Sequence, residues 1–326
     1  MPDLSVEIAG VRLTNPLVLA SGIWGTTPEL LERAARAGAG AVTAKTCTPT
    51  PRRGHRNPTT IDWGHGLLNA MGLPNPGADE EAAMLAEARR RLSRLGVPLL
   101  ASIAADTAEG FAEAAASVAR ARPDLIEVNI SCPNVAAEHG EMFAASPSAA
   151  AEATRAAKRA TSIPCIVKLS PQVPDIGAIA RAVAEAGADG ITAINTLPGM
   201  LVDAETGLPI LANRVGGISG PALKPVALRC VYEICTAVGI PVIGTGGVAT
   251  GSDAVEMISV GAAAVGVGTA VVSNGDSVFA RIIAELNGWM DARRYTSLAD
   301  IRGRAHRPPP AGPATNPPPV PGWRPA

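Results

Sequence analysis

A few polar residues close runs that are otherwise apolar, and they are the ones able to do chemistry. Lys45 ends the run Ala41–Lys45. Asn129, Ser131, Cys132 and Asn134 cluster at the end of Leu125–Ile130. Lys168 closes Cys165–Leu169, and Asn195-Thr196 follows Gly190–Ile194. Asn69 opens the segment Asn69-Ala70-Met71-Gly72-Leu73-Pro74-Asn75. Singly, each has an ordinary reading: an Asn satisfies a turn, a Lys reaches solvent, a Cys packs as a small hydrophobe. As a set they bring two ammonium groups, a thiol and several amides to comparable positions. Amides hydrogen-bond the edges of a carboxylate, an imide or a urea-like group. A thiol, with an ordinary pKa of about 8.5, can take or give a proton. Only four of the 28 basic residues are Lys (Lys45, Lys158, Lys168 and Lys224). The Lys that remain in so Arg-rich a chain stand where a planar, permanent cation is a poor substitute.

Glycine supplies the second pattern. Gly244-Thr245-Gly246-Gly247 and Gly266-Val267-Gly268-Thr269 end the last two apolar runs. Both fit Gly-x-Gly loosely, but a dinucleotide fingerprint belongs after the first strand, with an acidic residue about 20 positions on. Late in a strand series they suit a phosphate site, where glycines let backbone N–H groups close on an anion. Gly216-Gly217-Ile218-Ser219-Gly220-Pro221 is a third approach of this kind.

These residues need a frame. A hairpin is expected at Ser5–Ile8 and Val11–Leu13, followed by eight apolar runs: Pro16–Ala20, Ala41–Lys45, Pro98–Ile103, Leu125–Ile130, Cys165–Leu169, Gly190–Ile194, Pro241–Thr245 and Ala263–Val267. Ala-rich helical stretches separate them, several stopping at Gly, as at Ala37-Gly38, Ala186-Gly187 and Val260-Gly261. Runs without alternation are buried on both faces, as in parallel sheets. Eight β/α units predict a closed (β/α)8 TIM barrel, with a doubly wound open sheet as the alternative. Two connections, Thr46–Gly77 and Thr196–Ser219, are long inserts after strands two and six, at the barrel mouth. The barrel is expected over residues 1–302. The last 24 residues, 303–326, contain nine Pro and read as a disordered tail.

Composition excludes other classes. A net charge of -1 is no footprint for nucleic acid, and 3% aromatic residues offer few stacking platforms. No apolar run reaches the ~18 residues of a membrane span, and the N-terminus lacks a cationic start followed by an apolar stretch. Five Cys without a Cys-x-x-Cys pair point to a reducing, cytoplasmic setting, with no disulfide framework and no metal site.

From Leu4 to Met290 the chain resembles the class 1 dihydroorotate dehydrogenases, FMN-containing (β/α)8 barrels of pyrimidine biosynthesis. The motifs that carry the resemblance are Ala20-Ser21-Gly22, Thr43-Ala44-Lys45-Thr46, Asn69 through Gly77, Asn129-Ile130-Ser131-Cys132-Pro133-Asn134, Val167-Lys168-Leu169-Ser170-Pro171, Asn195-Thr196, Ser219-Gly220-Pro221, Gly246-Gly247 and Gly268-Thr269. Cys at position 132 marks class 1; class 2 enzymes carry Ser there and an N-terminal membrane segment. The Asn69–Gly77 and Asn129–Val135 details are most similar to subclass 1B, whose barrel pairs with a subunit carrying FAD and a [2Fe–2S] cluster that passes electrons to NAD. The resemblance implies that Cys132 removes the C5 proton of dihydroorotate while the C6 hydride goes to FMN N5. It implies that Lys45 lies between flavin and substrate, and that Asn69, Ala70, Met71, Gly72, Leu73, Asn129, Asn134, Asn195 and Thr196 hold orotate. FMN would be held by Ser21, Lys45, Thr46, Asn129, Lys168, Ile194, Gly220, Gly246, Gly247, Gly268 and Thr269. Ser102 stands where the family often has an Asn near the flavin, and is expected as a further contact. A homodimer, or a heterotetramer with the electron-transfer subunit, is implied. Alternatives are a fumarate-dependent subclass 1A enzyme, another FMN barrel acting on a dihydropyrimidine, or a Schiff-base lysine at Lys168. No role is assigned to Cys47.

Overall fold

A computed structural model describes residues 2–131 and 143–308. The hairpin forms as expected, β1 (Val6–Ile8) against β2 (Val11–Leu13). After it come β3 (Leu17–Leu19) and β4 (Ala41–Thr43), then β5 (Thr60–Asp62) and β6 (Leu67–Asn69) within the first long connection. β7 (Leu99–Ile103), β8 (Leu125–Asn129), β9 (Cys165–Leu169) and β10 (Gly190–Ala193) follow. β11 (Leu197–Gly199) and β12 (Gly216–Ser219) lie in the second connection, and β13 (Val242–Thr245) and β14 (Ala264–Val267) complete the set. Eight strands close into one parallel barrel in the order β10-β13-β14-β3-β4-β7-β8-β9. Each of the eight apolar runs contributes one of them, which decides for the barrel over the open sheet.

The helices that wrap the barrel start and stop by local chemistry. α1 (Pro28–Arg36) is capped by the Thr27 hydroxyl, which accepts from the Leu30 amide, with Pro28 in its first turn. α2 (Ala78–Ser93) follows Gly77. Thr107, Ser146 and Asp175 cap α3 (Ala108–Ala119), α4 (Pro147–Ala160) and α5 (Ile176–Glu185) in the same way. α6 (Lys224–Ala237) is preceded by a 3-10 turn at Pro221–Leu223. Thr250 and Asp253 form a reciprocal capping box on α7 (Gly251–Ser259). A short α8 (Thr269–Asn274), which sequence pattern did not indicate, precedes α9 (Ser277–Ala292).

The two long connections are not irregular. Their strands join across the mouth as an antiparallel four-stranded sheet, β11-β12-β6-β5, with Asn69 opposite Gly217. Leu68, Ala70 and Leu211 form its own small core, distinct from the barrel's. At the other end of the chain, a free tail was expected from Gly303. Instead Arg304 donates from Nε to Ser259 Oγ at 2.9 Å, and the His306 ring stacks on Tyr232 with centroids 4.1 Å apart. Residues 303–308 therefore stay on the barrel wall, and 309–326 lie outside the described residues.

Candidate active site

Polar residues collect at the C-terminal ends of the barrel strands. Lys45 sits two residues past β4, half-buried, its amide donating to Gly25 O at 2.8 Å. A Cβ on Gly25 would lie 2.5 Å from Lys45 N, so only glycine lets this turn approach so closely. Lys168, near the end of β9, is buried, and its Nζ stands 3.8 Å from Glu127 Oε1 on β8. Glu127 accepts from Ser102 Oγ at 2.9 Å; Ser102 is bonded to Thr46 Oγ1, and Thr46 to Ser21 Oγ, each at 2.9 Å. Because Ser102 gives its proton to the carboxylate, it accepts from Thr46, which in turn accepts from Ser21. The hydroxyl dipoles thus run from the half-exposed mouth at Ser21 down to Glu127. Ser102, expected to reach the cofactor, is 1% exposed, and its proton is taken by Glu127.

A second group forms an amide ring. Asn129 Oδ1 accepts from Ser131 Oγ at 2.9 Å, and Asn195 Nδ2 donates to Ser131 Oγ at 3.0 Å and Ser131 O at 3.1 Å. Asn195 Oδ1 accepts from the Thr196 amide at 2.8 Å. Thr196 packs against Gly217, where a Cβ would fall 2.1 Å from its Oγ1, and Asn69 Nδ2 donates to Gly217 O at 3.3 Å. The small sheet therefore joins Asn69 to the ring. The loop Ala70–Leu73 is pinned by His55, whose amide donates to Met71 O at 3.0 Å and whose Nδ1 lies 3.1 Å from Ala70 O. Gly72 has φ +73°, and a Cβ there would lie 2.7 Å from His55 N. Met71 is left exposed, and Leu73 is half-buried with φ +53°.

The glycine loops converge beside these groups. Gly246 has φ +132° and Gly247 φ +76°, and a Cβ on Gly247 would lie 2.8 Å from Lys224 N. A Cβ on Gly220 would lie 3.3 Å from Thr269 Cγ2, and Thr269 Oγ1 donates to Ser219 Oγ at 2.8 Å. The third glycine segment thus bridges the other two, and Gly268 leads into Thr269 at the start of α8. Ile194 is buried against Gly246 and donates from its amide to Thr245 O at 2.8 Å. Lys224 is committed elsewhere: its Nζ is 2.6 Å from Asp253 Oδ1 and 2.8 Å from Glu256 Oε2. A cavity at the strand ends is lined by Ser21, Thr43, Glu127, Lys168, Thr192 and Gly266, among others. Thr192 Oγ1 is buried there without a hydrogen-bond partner among the described residues. A buried ammonium and a hydroxyl left unsatisfied among the described residues share this cavity with Gly266, and the Gly246-Gly247 turn directly follows its Thr245; together these groups fit a polar, phosphate-bearing planar group such as FMN.

Cys132 and Asn134 lie outside the described residues. The other residues expected at the site lie at or beside this mouth, with Ser102 buried between Thr46 and Glu127. Cys47 is a core residue, fully buried, its thiol pushed well up by burial and by the nearby Glu81 charge. Cys165, also fully buried, is pushed up to about 12 by burial. Neither suits a nucleophile or base. The sequence reading missed Glu127, although a lone carboxylate inside Leu125–Asn129 was a visible signal. It also missed His55, whose support of the Ala70–Leu73 loop left none.

A profile of the family "Dihydroorotate dehydrogenase" matches residues 3–290. The chain is 44% identical over 304 residues to "Dihydroorotate dehydrogenase B (NAD(+)), catalytic subunit" of Methanosarcina mazei, covering 93% of this chain and 95% of that one. Proteins of the same name from Methanocaldococcus jannaschii (42% identical; 93% and 98% covered) and Geobacillus kaustophilus (43% identical; 94% and 96% covered) are similar along the same length.

Proposed function

The chain belongs to the dihydroorotate dehydrogenase family, and from that membership we propose that it oxidises (S)-dihydroorotate to orotate at the barrel mouth, in de novo pyrimidine biosynthesis. The observation that carries this reading is that the linked amides and hydroxyls of Asn129, Ser131, Asn195 and Thr196 stand at the ends of the strands whose Lys168, Thr192 and Gly266 line the cavity. A ring with a carboxylate and ureide edges presents both donors and acceptors, which amides can match. FMN, when bound, would supply the two-electron oxidant for the substrate's C6 hydride.

Cys132, next to Ser131 in the chain, removes the C5 proton. Asn69, the loop Ala70–Leu73, Asn129, Asn134, Asn195 and Thr196 hold the substrate, and Lys45 places positive charge between substrate and cofactor. Lys168 holds a fixed ammonium where negative charge gathers as the cofactor takes up electrons, the kind of preorganised charge typically worth a few kcal/mol. Ser21, Thr46, Ile194, Gly220, Gly246, Gly247, Gly268 and Thr269 frame the cofactor.

The relatives' names, a catalytic subunit and NAD(+), support a partner that receives the electrons. The subclass 1B resemblance implies that this partner carries an FAD and a [2Fe–2S] cluster, and the five Cys of this chain lack the spacing to hold a cluster themselves. Two barrels pair as a homodimer within a cytoplasmic heterotetramer. No helix among the described residues is long and apolar enough to cross a membrane.

The test is a spectrum. The purified chain, supplied with FMN, is expected to bind it and to bleach anaerobically with dihydroorotate, but not with dihydrouracil, which lacks the carboxylate. Failure to bind a flavin, or equal bleaching by both compounds, overturns the reading.

A further inference from the structure

Glu127 has no part in the reaction as described, yet it is among the most deeply placed charges in the chain, 3% exposed in the middle of a barrel strand. Burying a carboxylate is costly unless it is paired and hydrogen-bonded. Here both conditions are met by site residues: Lys168 Nζ at 3.8 Å, and Ser102 Oγ at 2.9 Å at the end of the hydroxyl series from Ser21 and Thr46. Strand register accounts for this. Ser102 is the direct partner of Glu127 across β7 and β8, while Lys168 pairs with Asn129, one inward-facing step further up β8. The carboxylate therefore lies one layer deeper in the barrel than the ammonium, on the side away from the mouth.

We propose that Glu127 is a positioning residue acting through Lys168: it holds the ammonium at the cavity and screens part of its charge, so that the bound cofactor is a weaker electron acceptor than Lys168 alone would make it. The inference rests on the FMN reading above. With the carboxylate present, Lys168 has a counter-charge before any electron arrives, and added negative charge in the cavity is repelled by Glu127. Without it, the main counter-charge gained by Lys168 is the one that comes with the electrons, so the reduced cofactor is favoured. The hydroxyl series fixes the carboxylate's place, and Ser102 is short enough to occupy the space between Thr46 and Glu127.

Glu127→Gln keeps size and hydrogen bonding while removing the charge. The measurement is the ratio of reduced to oxidised FMN at equilibrium with a reference redox dye held at a fixed ratio. Removing a full charge several ångströms away, at an effective dielectric of about 20, is expected to raise that ratio at least about tenfold, ~30 mV for a two-electron couple. If Glu127→Gln does not fold or retain FMN, Glu127→Asp, which draws the charge back by one methylene, should raise the ratio about threefold. An unchanged or lowered ratio, in whichever variant holds FMN, overturns the proposal. A merely structural role would alter FMN retention or melting without this directed shift. Should the wild-type chain bind no FMN, the functional reading itself fails; wild-type binding with an unmoved variant ratio sinks only the role of Glu127.

Discussion

On the proposed function, acid–base work falls to the thiol of Cys132. Among the described residues no His bonds to Asn129, Ser131, Asn195 or Thr196, and His55 is used to hold the Ala70–Leu73 loop. Cys132→Ala is expected to bind FMN normally and to slow its reduction by dihydroorotate 10²–10⁴-fold, a range typical for loss of a positioned base and of the order of ~3–5 kcal/mol. Cys132→Ser should be impaired as well, because a hydroxyl is a far weaker base near neutral pH. In stopped-flow traces the wild-type rate should climb with pH through the thiol's titration, and the Ala variant should lose that climb. A second residue-scale expectation concerns Glu81, 4% exposed, with Oε1 lacking a hydrogen-bond partner among the described residues. Burial raises its pKa from 4.5 to about 7, with the Lys45 charge opposing and Glu80 adding to the rise. A carboxyl whose folded pKa is raised stabilises the fold below its unfolded pKa, and that contribution is lost as pH climbs through the folded value. Between about pH 4.5 and 7 Glu81 should therefore cost stability progressively, on the order of 3 kcal/mol by pH 8. Denaturant titrations at pH 5 and pH 8 should show Glu81→Gln gaining on wild type at the higher pH; an equal gap at both pH values would refute this.

Elements set the site's precision. The Ala70–Leu73 loop keeps its shape because Gly72 takes φ +73° in a space where a Cβ would press on the His55 backbone. Gly72→Ala must strain that backbone or push the loop from His55, and a substitution at such a position destabilises by more than ~1 kcal/mol. The proposed function gives the loop to the substrate and the glycine turns to the cofactor, so the two functions should separate. Orotate titrations are expected to show affinity falling at least about tenfold, the equivalent of ~1.4 kcal/mol, with FMN content unchanged. Loss of FMN with orotate affinity intact would place the loop wrongly. The four-stranded sheet over the mouth explains why so local a change is felt: β6 holds Asn69 against β12, whose neighbour β11 directly follows Thr196.

At the scale of the whole molecule, the proposed function gives the Gly-x-Gly segments to a cofactor at the barrel mouth and not to a nicotinamide fold. Gly246 and Gly247 abut α6 and the turn before it, where Gly220 meets Thr269, inside a closed barrel with no doubly wound sheet. The lone chain is thus expected to oxidise dihydroorotate rapidly with an artificial dye and slowly with either NAD or fumarate. Steady-state assays of the isolated chain measure this directly. Rapid turnover with fumarate would move the enzyme to the partner-free type, and rapid NAD reduction would overturn the role given to the glycine loops. Adding the electron-transfer subunit should restore NAD reduction.

Much of this architecture was readable along the chain, because its signals are local. Buried parallel strands are short apolar runs, helices stop at residues such as Gly38, Gly187 and Gly261 that take positive φ, and each depends only on near neighbours. The eight barrel strands, the hairpin and the candidates Lys45, Lys168, Asn129 and Asn195 follow from that, since a polar residue closing an apolar run is conspicuous in one dimension. Pairings that span the sequence were not readable. β6 meets β12 across 148 residues, from Asn69 to Gly217, through three- and four-residue strands carrying Gly, with too little periodicity to announce themselves. Glu127 acquires its partners only in the fold, where β7 brings Ser102 beside it and β9 brings Lys168 near it. The docking of residues 303–308 likewise depends on Tyr232 and Ser259, which only the folded wall brings together. Local sequence determined which elements exist and where polar groups cap them; closure of the barrel decided which of those groups share a cavity, because register and ring closure are properties of all eight strands at once.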